Sequence, residues 1–242
     1  MKLIQKKDNK IIFEAEVSEE IANAIRRNVS QIPILAVDEV EIFKNGSALY
    51  DETIAHRIGL IPLKMEKSYD EDSEIDLKLS SDKKGYVYSG ELKGKAKSVF
   101  DKIPITFLDE GQDIELIARA KIGNGSQHTK FTPGLIFYHN LADIEVSKDC
   151  PKNIADICPR KVFSFDGGKV NIKNSAECDL CEMCVEEAKK MKKTECVKIK
   201  PTNKLIIHVE SFGQIEAEEV FLKSIKELKK ELAEVEKKIA KA

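Results

Sequence analysis

All six cysteines of the 242-residue chain fall between Cys150 and Cys196. Cys178, Cys181 and Cys184 are each separated by two residues, and Cys158 stands directly before Pro159. A tight loop with a thiolate at every third position can wrap one inorganic cluster with its amides turned toward the sulfides, and a remote Cys-Pro can close the far corner. This is the ligand spacing of a cubane iron–sulfur centre, where a C-x2-C-x2-C run binds three irons and a distant Cys before Pro takes the fourth. Cys158, Cys178, Cys181 and Cys184 are therefore assigned to one [4Fe–4S] cluster. Zinc competes for the same four thiolates, but zinc sites usually pair two C-x2-C knuckles, and one knuckle with three cysteines favours the cluster. A second cluster is not expected, because Ile154, Pro151 and Lys148 occupy the positions where another triplet would precede Cys158, and Ala188 follows Cys184 where a further Cys-Pro would be needed. Cys150 and Cys196 are left over, either as free thiols or as a disulfide, which a reducing compartment disfavours.

The elements that position these cysteines are short. Val162-Phe163-Ser164-Phe165 and Lys169-Val170-x-Ile172 flank Asp166-Gly167-Gly168 and read as a β-hairpin of the ferredoxin kind. A segment with so little core of its own gains folding energy from the ligand it binds, so the cluster is read as structural support. Other candidate chemistry is sparse. His56 and Arg57 have no Cys or Ser partner in a catalytic pattern, and Gly123-Asn124-Gly125 lacks the spacing of a phosphate loop, so it reads as a plain turn. No active site is expected.

Two helices frame the chain. Ser18 with Glu19 and Glu20 opens the first, where a side-chain oxygen and negative charge suit the positive dipole end. Ile21, Ile25, Asn28/Val29 and Ile32 form its apolar stripe, Arg26 and Arg27 lie off that stripe, and Pro33 ends it. At the other end Phe221, Ile225, Leu228, Leu232, Val235 and Ile239 repeat every three or four residues, the seam of a coiled-coil-like helix. A seam that long needs a partner, and the expectation is that both ends of the chain build one helix–helix interface. Between them, Ile34 to Phe43, Ile75-x-Leu77-x-Leu79, Tyr86-Val87-Tyr88, Ile103-x-Ile105-x-Phe107, Ile114-x-Leu116-x-Ala118 and Leu135 to Tyr138 read as strands, and Asp51 to Leu63 as a short helix closed by Gly59.

Several motifs resemble one family. Asn23-Ala24-Ile25-Arg26-Arg27, Pro33, Ala36-Val37-Asp38, Asp51-Glu52-x-Ile54-Ala55-His56-Arg57-Ile58-Gly59-Leu60-Ile61-Pro62-Leu63, His128 to Pro133 and His208 to Gly213 are similar to the family of the D polypeptide of archaeal DNA-dependent RNA polymerase. That family includes the eukaryotic third-largest polymerase subunit and the N-terminal domain of the bacterial alpha subunit. The resemblance implies an α+β fold in three parts: a discontinuous alpha-subunit-like dimerisation domain (1–43 and 200–242), a mostly β insert domain (44–146) and a small ferredoxin-like [4Fe–4S] domain (147–199). It further implies a non-catalytic assembly platform that heterodimerises with subunit L and contacts subunits N and P and the two large catalytic subunits. Ile21, Ile25, Arg26, Arg27, Val29, Phe221, Ile225, Leu228, Leu232 and Val235 are the interface candidates. For His56 and Arg57 the resemblance suggests contact with the large subunits, and an internal salt bridge is the competing reading. Some archaeal members carry a ferredoxin-like domain at this point of the chain.

Composition agrees with such a role. Forty basic residues balance 42 acidic ones, giving a formal charge of −2 that does not suit a protein made to grip phosphates, so sequence-specific nucleic-acid binding is not expected. No apolar run reaches the roughly 20 residues of a membrane helix, and MKLIQKKDNK lacks the apolar core of a signal peptide, so a cytoplasmic location is expected. The rival class, a ferredoxin-like electron-transfer protein or redox-enzyme subunit, explains the cysteines and leaves Asn23 to Leu63 and the terminal seam without a purpose.

Overall fold

The computed structural model describes residues 1–70 and 72–241. In chain order its elements are strand β1 (Lys2–Lys7), β2 (Lys10–Ala15), helix α1 (Glu19–Arg27), β3 (Ile34–Asn45), α2 (Asp51–Gly59), β4 (Glu74–Ser81), β5 (Gly85–Tyr88), β6 (Lys93–Gly94), β7 (Pro104–Leu108), β8 (Ile114–Gly123), β9 (Gly134–Val146), α3 (Asn153–Ile157), β10 (Phe163–Asp166), β11 (Lys169–Ile172), α4 (Met183–Lys190), β12 (Val197–Ser211) and α5 (Ala217–Ile239). The fold is mixed α/β and mostly strands. Two compact units share it: one comprises Met1–Lys6, Ile11–Asn23 and Phe137–His208, the other Lys7–Lys10, Ala24–Ile136 and the chain from Val209 onward.

The second unit is built on the sheet β3-β8-β4-β6 and the pair β5-β7. Alternation sets its core: Ile75, Leu77 and Leu79 of β4 and Ile114, Leu116, Ala118 and Ala120 of β8 point inward, antiparallel with Leu77 opposite Ala118. Ile54 and Ile58 of α2 close over the same core with Leu35, Val37, Ile61 and Leu63.

Two strands depart from simple alternation. On β7 the period predicts Ile103, Ile105 and Phe107 on the inward side. Opposite β5, Val87 pairs with Thr106 but Tyr88 pairs with Pro104, so Ile105 is the extra residue of a bulge. The side-chain phase flips there: Thr106 and Leu108 are buried, and Phe107 turns out to lie edge-on to Tyr86 at 5.1 Å. On β3 the register shifts between Val37 and Glu39, leaving Asp38 as the unpaired residue. Its carboxylate takes Lys121 Nζ at 2.5 Å and Lys130 Nζ at 2.8 Å.

The first unit carries the sheet β1-β2-β12-β9 and the hairpin β10-β11. In that hairpin Asp166 faces Lys169 across Gly167 and Gly168, whose φ values are +59° and +77°. Both central residues of such a two-residue turn need positive φ, which is why Gly-Gly serves there. Helix α3 packs on α4, and the core gathers Ile144, Ile154, Val162, Phe163, Val170, Ala188 and Val197 around four buried cysteines.

Candidate metal centre and partner-facing helices

Cys158 follows α3 directly, and its Sγ accepts the Val162 amide at 3.4 Å. Lys161, in the left-handed region at φ +52°, bends the chain back so that this amide faces the sulfur. The triplet lies between a single 3-10 turn (Ser175–Glu177) and the start of α4, in a loop that is left-handed at Leu180 and Glu182, φ +58° and +57°. Non-glycine residues rarely adopt that conformation. Here it turns successive amides inward: Leu180 donates to Cys178, Met183 to Cys181 and Val185 to Cys184. The two cysteine-bearing loops are adjacent, since Arg160 Nε reaches Asp179 Oδ2 at 3.1 Å.

The electrostatics follow from this crowding. Burial pushes the Cys184 thiol up to about 11 against the lowering effect of the Val185 amide, and the neighbouring Cys158 and Cys178 push it further in the same direction. Burial likewise raises Cys178. For Cys181 the Met183 amide pulls downward, and burial with the Asp179 carboxylate outweighs it, so this thiol is raised too. Four cysteine sulfurs, each facing a backbone amide, form a donor set suited to a group that brings positive charge and accepts several thiolates at once. Among the described residues no three His, Cys, Asp or Glu side chains converge on a point that would hold a single metal ion.

The helices place their apolar residues unevenly. The Ser18 carbonyl accepts the Ala22 amide at 3.0 Å, and the Ser18 hydroxyl bonds the Glu20 carboxylate, which lowers the pKa of Glu20. On α1, Ile25 is buried, as is Val29 in the 3-10 turn Asn28–Gln31 that continues the helix before Ile32 and Pro33. Ile21, by contrast, is 52% exposed, and Arg26 and Arg27 face solvent. Helix α5 packs on that 3-10 turn, burying Ala217, Val220 and Ser224, and the Ser224 hydroxyl donates to the Ile25 carbonyl. Phe221, Ile225 and Leu228 are half-buried. Beyond them the seam lies open: Leu232 is 60%, Val235 51% and Ile239 71% exposed. The stripe of the first helix therefore belongs mostly to the chain's own core, while the far half of α5 keeps its apolar side uncovered.

His56 and Arg57 are exposed on α2, and the Arg57 guanidinium donates to the Pro104 carbonyl. The residue that sequence reasoning misses is Lys130, half-hidden over the Phe131 ring at 5.1 Å and paired with Asp38. It ties the Ala36-Val37-Asp38 motif to the His128-to-Pro133 motif, and only their charge complementarity hints at the pairing. Next to it, Leu60, Pro62, Lys130 and Phe212, which come from three of the motifs named above, line a groove of about 470 Å³ together with Phe100. No described helix is long and apolar enough to cross a membrane.

Comparison with known proteins accounts for those motifs. Residues 19–136 match the family described as the RNA polymerase Rpb3/RpoA insert domain. The DNA-directed RNA polymerase subunit Rpo3 of Thermococcus kodakarensis is 41% identical over 162 residues, 62% of this chain and 62% of its own length. That of Archaeoglobus fulgidus is 32% identical over an alignment of 258 positions that spans 98% of this chain and 96% of the relative. The RNA polymerase II subunit rpb3 of Dictyostelium discoideum is 27% identical across 99% of the chain. With the alignment to the Archaeoglobus protein running nearly end to end in both sequences, the chain belongs to the Rpo3 family of DNA-directed RNA polymerase subunits, the archaeal counterpart of Rpb3 and of the alpha subunit.

Proposed function

We propose that this protein is a non-catalytic assembly platform of an archaeal DNA-dependent RNA polymerase, that it heterodimerises with subunit L, and that it carries one structural [4Fe–4S] cluster. The single observation that carries the platform reading is the half-covered helix α5, packed through Val220 and Ser224 and open at Leu232, Val235 and Ile239. An apolar helix face of that length is stable in water when a second protein covers it. Subunit L supplies that cover, with Phe221, Ile225 and Leu228 at the edges of the same contact; Ile21 on α1 is a further candidate for contact with subunit L. Subunits N and P and the two large catalytic subunits assemble on the heterodimer, the large subunits reaching α2 at His56 and Arg57.

The cluster reading rests on the donor set. In a cubane each thiolate binds its own iron, so Cys158, Cys178, Cys181 and Cys184 need not converge on one point as four zinc ligands must. The cluster, when bound, supplies cross-links between α3, the triplet loop and α4; the chain's part is to hold the thiolates, aim the amides of Leu180, Met183 and Val185 at them and keep most of the site from water. Co-expression with subunit L, followed by size-exclusion and iron and sulfide analysis of the anaerobic complex, tests both readings. A one-to-one heterodimer with one cluster's iron and sulfide per chain is expected. A chain that elutes alone contradicts the platform; zinc in place of iron contradicts the cluster.

A further inference from the structure

Cys150 and Cys196 stand outside the cluster's ligand set. Both are buried, and their sulfurs lie 3.1 Å apart across 46 residues of sequence. Cys150 comes just after β9 leaves its sheet and Cys196 immediately precedes β12, so the pair sits where the cysteine-rich segment begins and ends. Hydrogen bonds already fasten that neck: the Ser147 amide donates to the Cys196 carbonyl at 2.9 Å, and the Cys150 amide to the Ser147 carbonyl at 3.3 Å. Non-bonded carbon atoms settle at about 3.5–4.0 Å, and sulfur is larger than carbon, so 3.1 Å is close for two thiols. A shared metal ion does not suit the spacing either, because two thiolates each ~2.3 Å from a tetrahedral zinc lie ~3.8 Å apart. A disulfide bond of about 2.0 Å is reached by an approach of roughly 1 Å.

We propose that Cys150 and Cys196 are a redox-responsive pair whose disulfide staples the neck of the cysteine-rich segment and holds it closed whether or not its metal group is bound. The co-reactant is a low-molecular-weight disulfide, RS–SR. One thiolate of the pair attacks a sulfur of RS–SR and expels RS⁻. The second loses its proton, attacks the protein-side sulfur of the mixed disulfide and expels a second RS⁻. Two protein S–H bonds are exchanged for one S–S bond, RS–SR takes up two electrons, and the two protons leave with the products as 2 RSH. Both cysteines line an open cavity of about 830 Å³ with Lys148, Asp149, Lys193 and Glu195, which gives the reagent room. Burial, reinforced by the Cys196 sulfur, pushes the Cys150 thiol up to about 12, so Cys150 persists as a thiol until an oxidant is supplied. Closing a loop of this length removes conformations from the unfolded segment, and the closed form is favoured accordingly.

The test uses the full-length chain, purified reduced and without oxygen, then exposed to oxidised glutathione at graded ratios to the reduced form. Cysteines are counted by alkylation after denaturation, which releases any metal, and disulfides are mapped by mass spectrometry of a non-reduced digest. The six alkylatable cysteines of the reduced chain are expected to fall to four, with one cross-linked peptide pair joining Cys150 to Cys196. Limited proteolysis within residues 147–197 is expected to slow at least tenfold, including after the metal is chelated. Cys150→Ala and Cys196→Ala should each abolish the cross-link and the protection; because the principal readout is made on the unaltered chain, a variant that folds poorly leaves the result standing. The proposal is overturned if Cys150 and Cys196 both remain alkylatable at the ratio that oxidises exposed Cys181, or if Cys150 cross-links mainly to Cys158, Cys178, Cys181 or Cys184. It is independent of the cluster: a chain without iron that still forms the Cys150–Cys196 bond separates the two.

Discussion

Replacing Leu232, Val235 and Ile239 together by alanine should separate docking from folding. These side chains are 60%, 51% and 71% exposed in the free chain. Full burial of a Leu, Val or Ile side chain contributes about 1.5–3 kcal/mol. Roughly half to two thirds of that remains to be gained at each position, and alanine retains some of the area. The triple variant should therefore lose about 2–4 kcal/mol of heterodimer affinity, a rise in Kd for subunit L of roughly 30- to 700-fold. The chain's own stability should stay within about 0.5 kcal/mol, since the three positions touch solvent and alanine favours helix. Ile25→Ala provides the contrast. Ile25 is 8% exposed and already packed within its own chain, so its truncation should cost about 2–5 kcal/mol of stability and lower the Tm with no subunit L present. Titration calorimetry against subunit L and thermal unfolding of each chain alone give both numbers. A triple variant that binds within twofold of the unaltered chain, or that melts as early as Ile25→Ala, refutes the assignment of the open seam to a partner.

Acid should weaken the second unit through Asp38. Hydrogen bonds from Lys121 and then Lys130 hold its pKa below the ordinary value of 3.8, so the stabilisation is fully present above that value and is lost as pH falls through the lower folded one; a Tm-against-pH profile should show a steeper acid limb for the unaltered chain than for Asp38→Asn. Gly134→Ala should cost about 1–3 kcal/mol of stability, because a Cβ there runs into the Glu210 carbonyl, and a denaturant midpoint that does not move would contradict the close approach. Cys184→Ser should abolish the cluster's visible absorption and its iron content; retention of both would remove Cys184 from the ligand set.

How much is legible in the sequence depends on whether local chemistry or the neighbouring chain decides a residue's place. The Gly167-Gly168 hairpin, the alternation of β4 and β8 and the short helix α2 ending at Gly59 follow from φ preferences or a side-chain period that neighbours merely reinforce, and the structure agrees with them. Phe107 is misplaced by its period because one extra residue at Ile105 reverses the phase, and a bulge leaves no mark in a run of Ile-x-Ile-x-Phe. Asp38 illustrates the same device put to use: the shift in β3 frees its side chain to hold Lys121 and Lys130, a pairing across 92 residues of sequence in the latter case. Spacing shows α5 to be amphipathic but cannot show where the chain's own cover stops. Val220 and Ser224 are sealed by the turn after α1, whereas Leu232, two helical turns further on, lies open to solvent. An apolar period specifies that a face will be buried; which molecule buries each turn of it is fixed by how far the rest of the fold extends, and that boundary is where a partner has to begin.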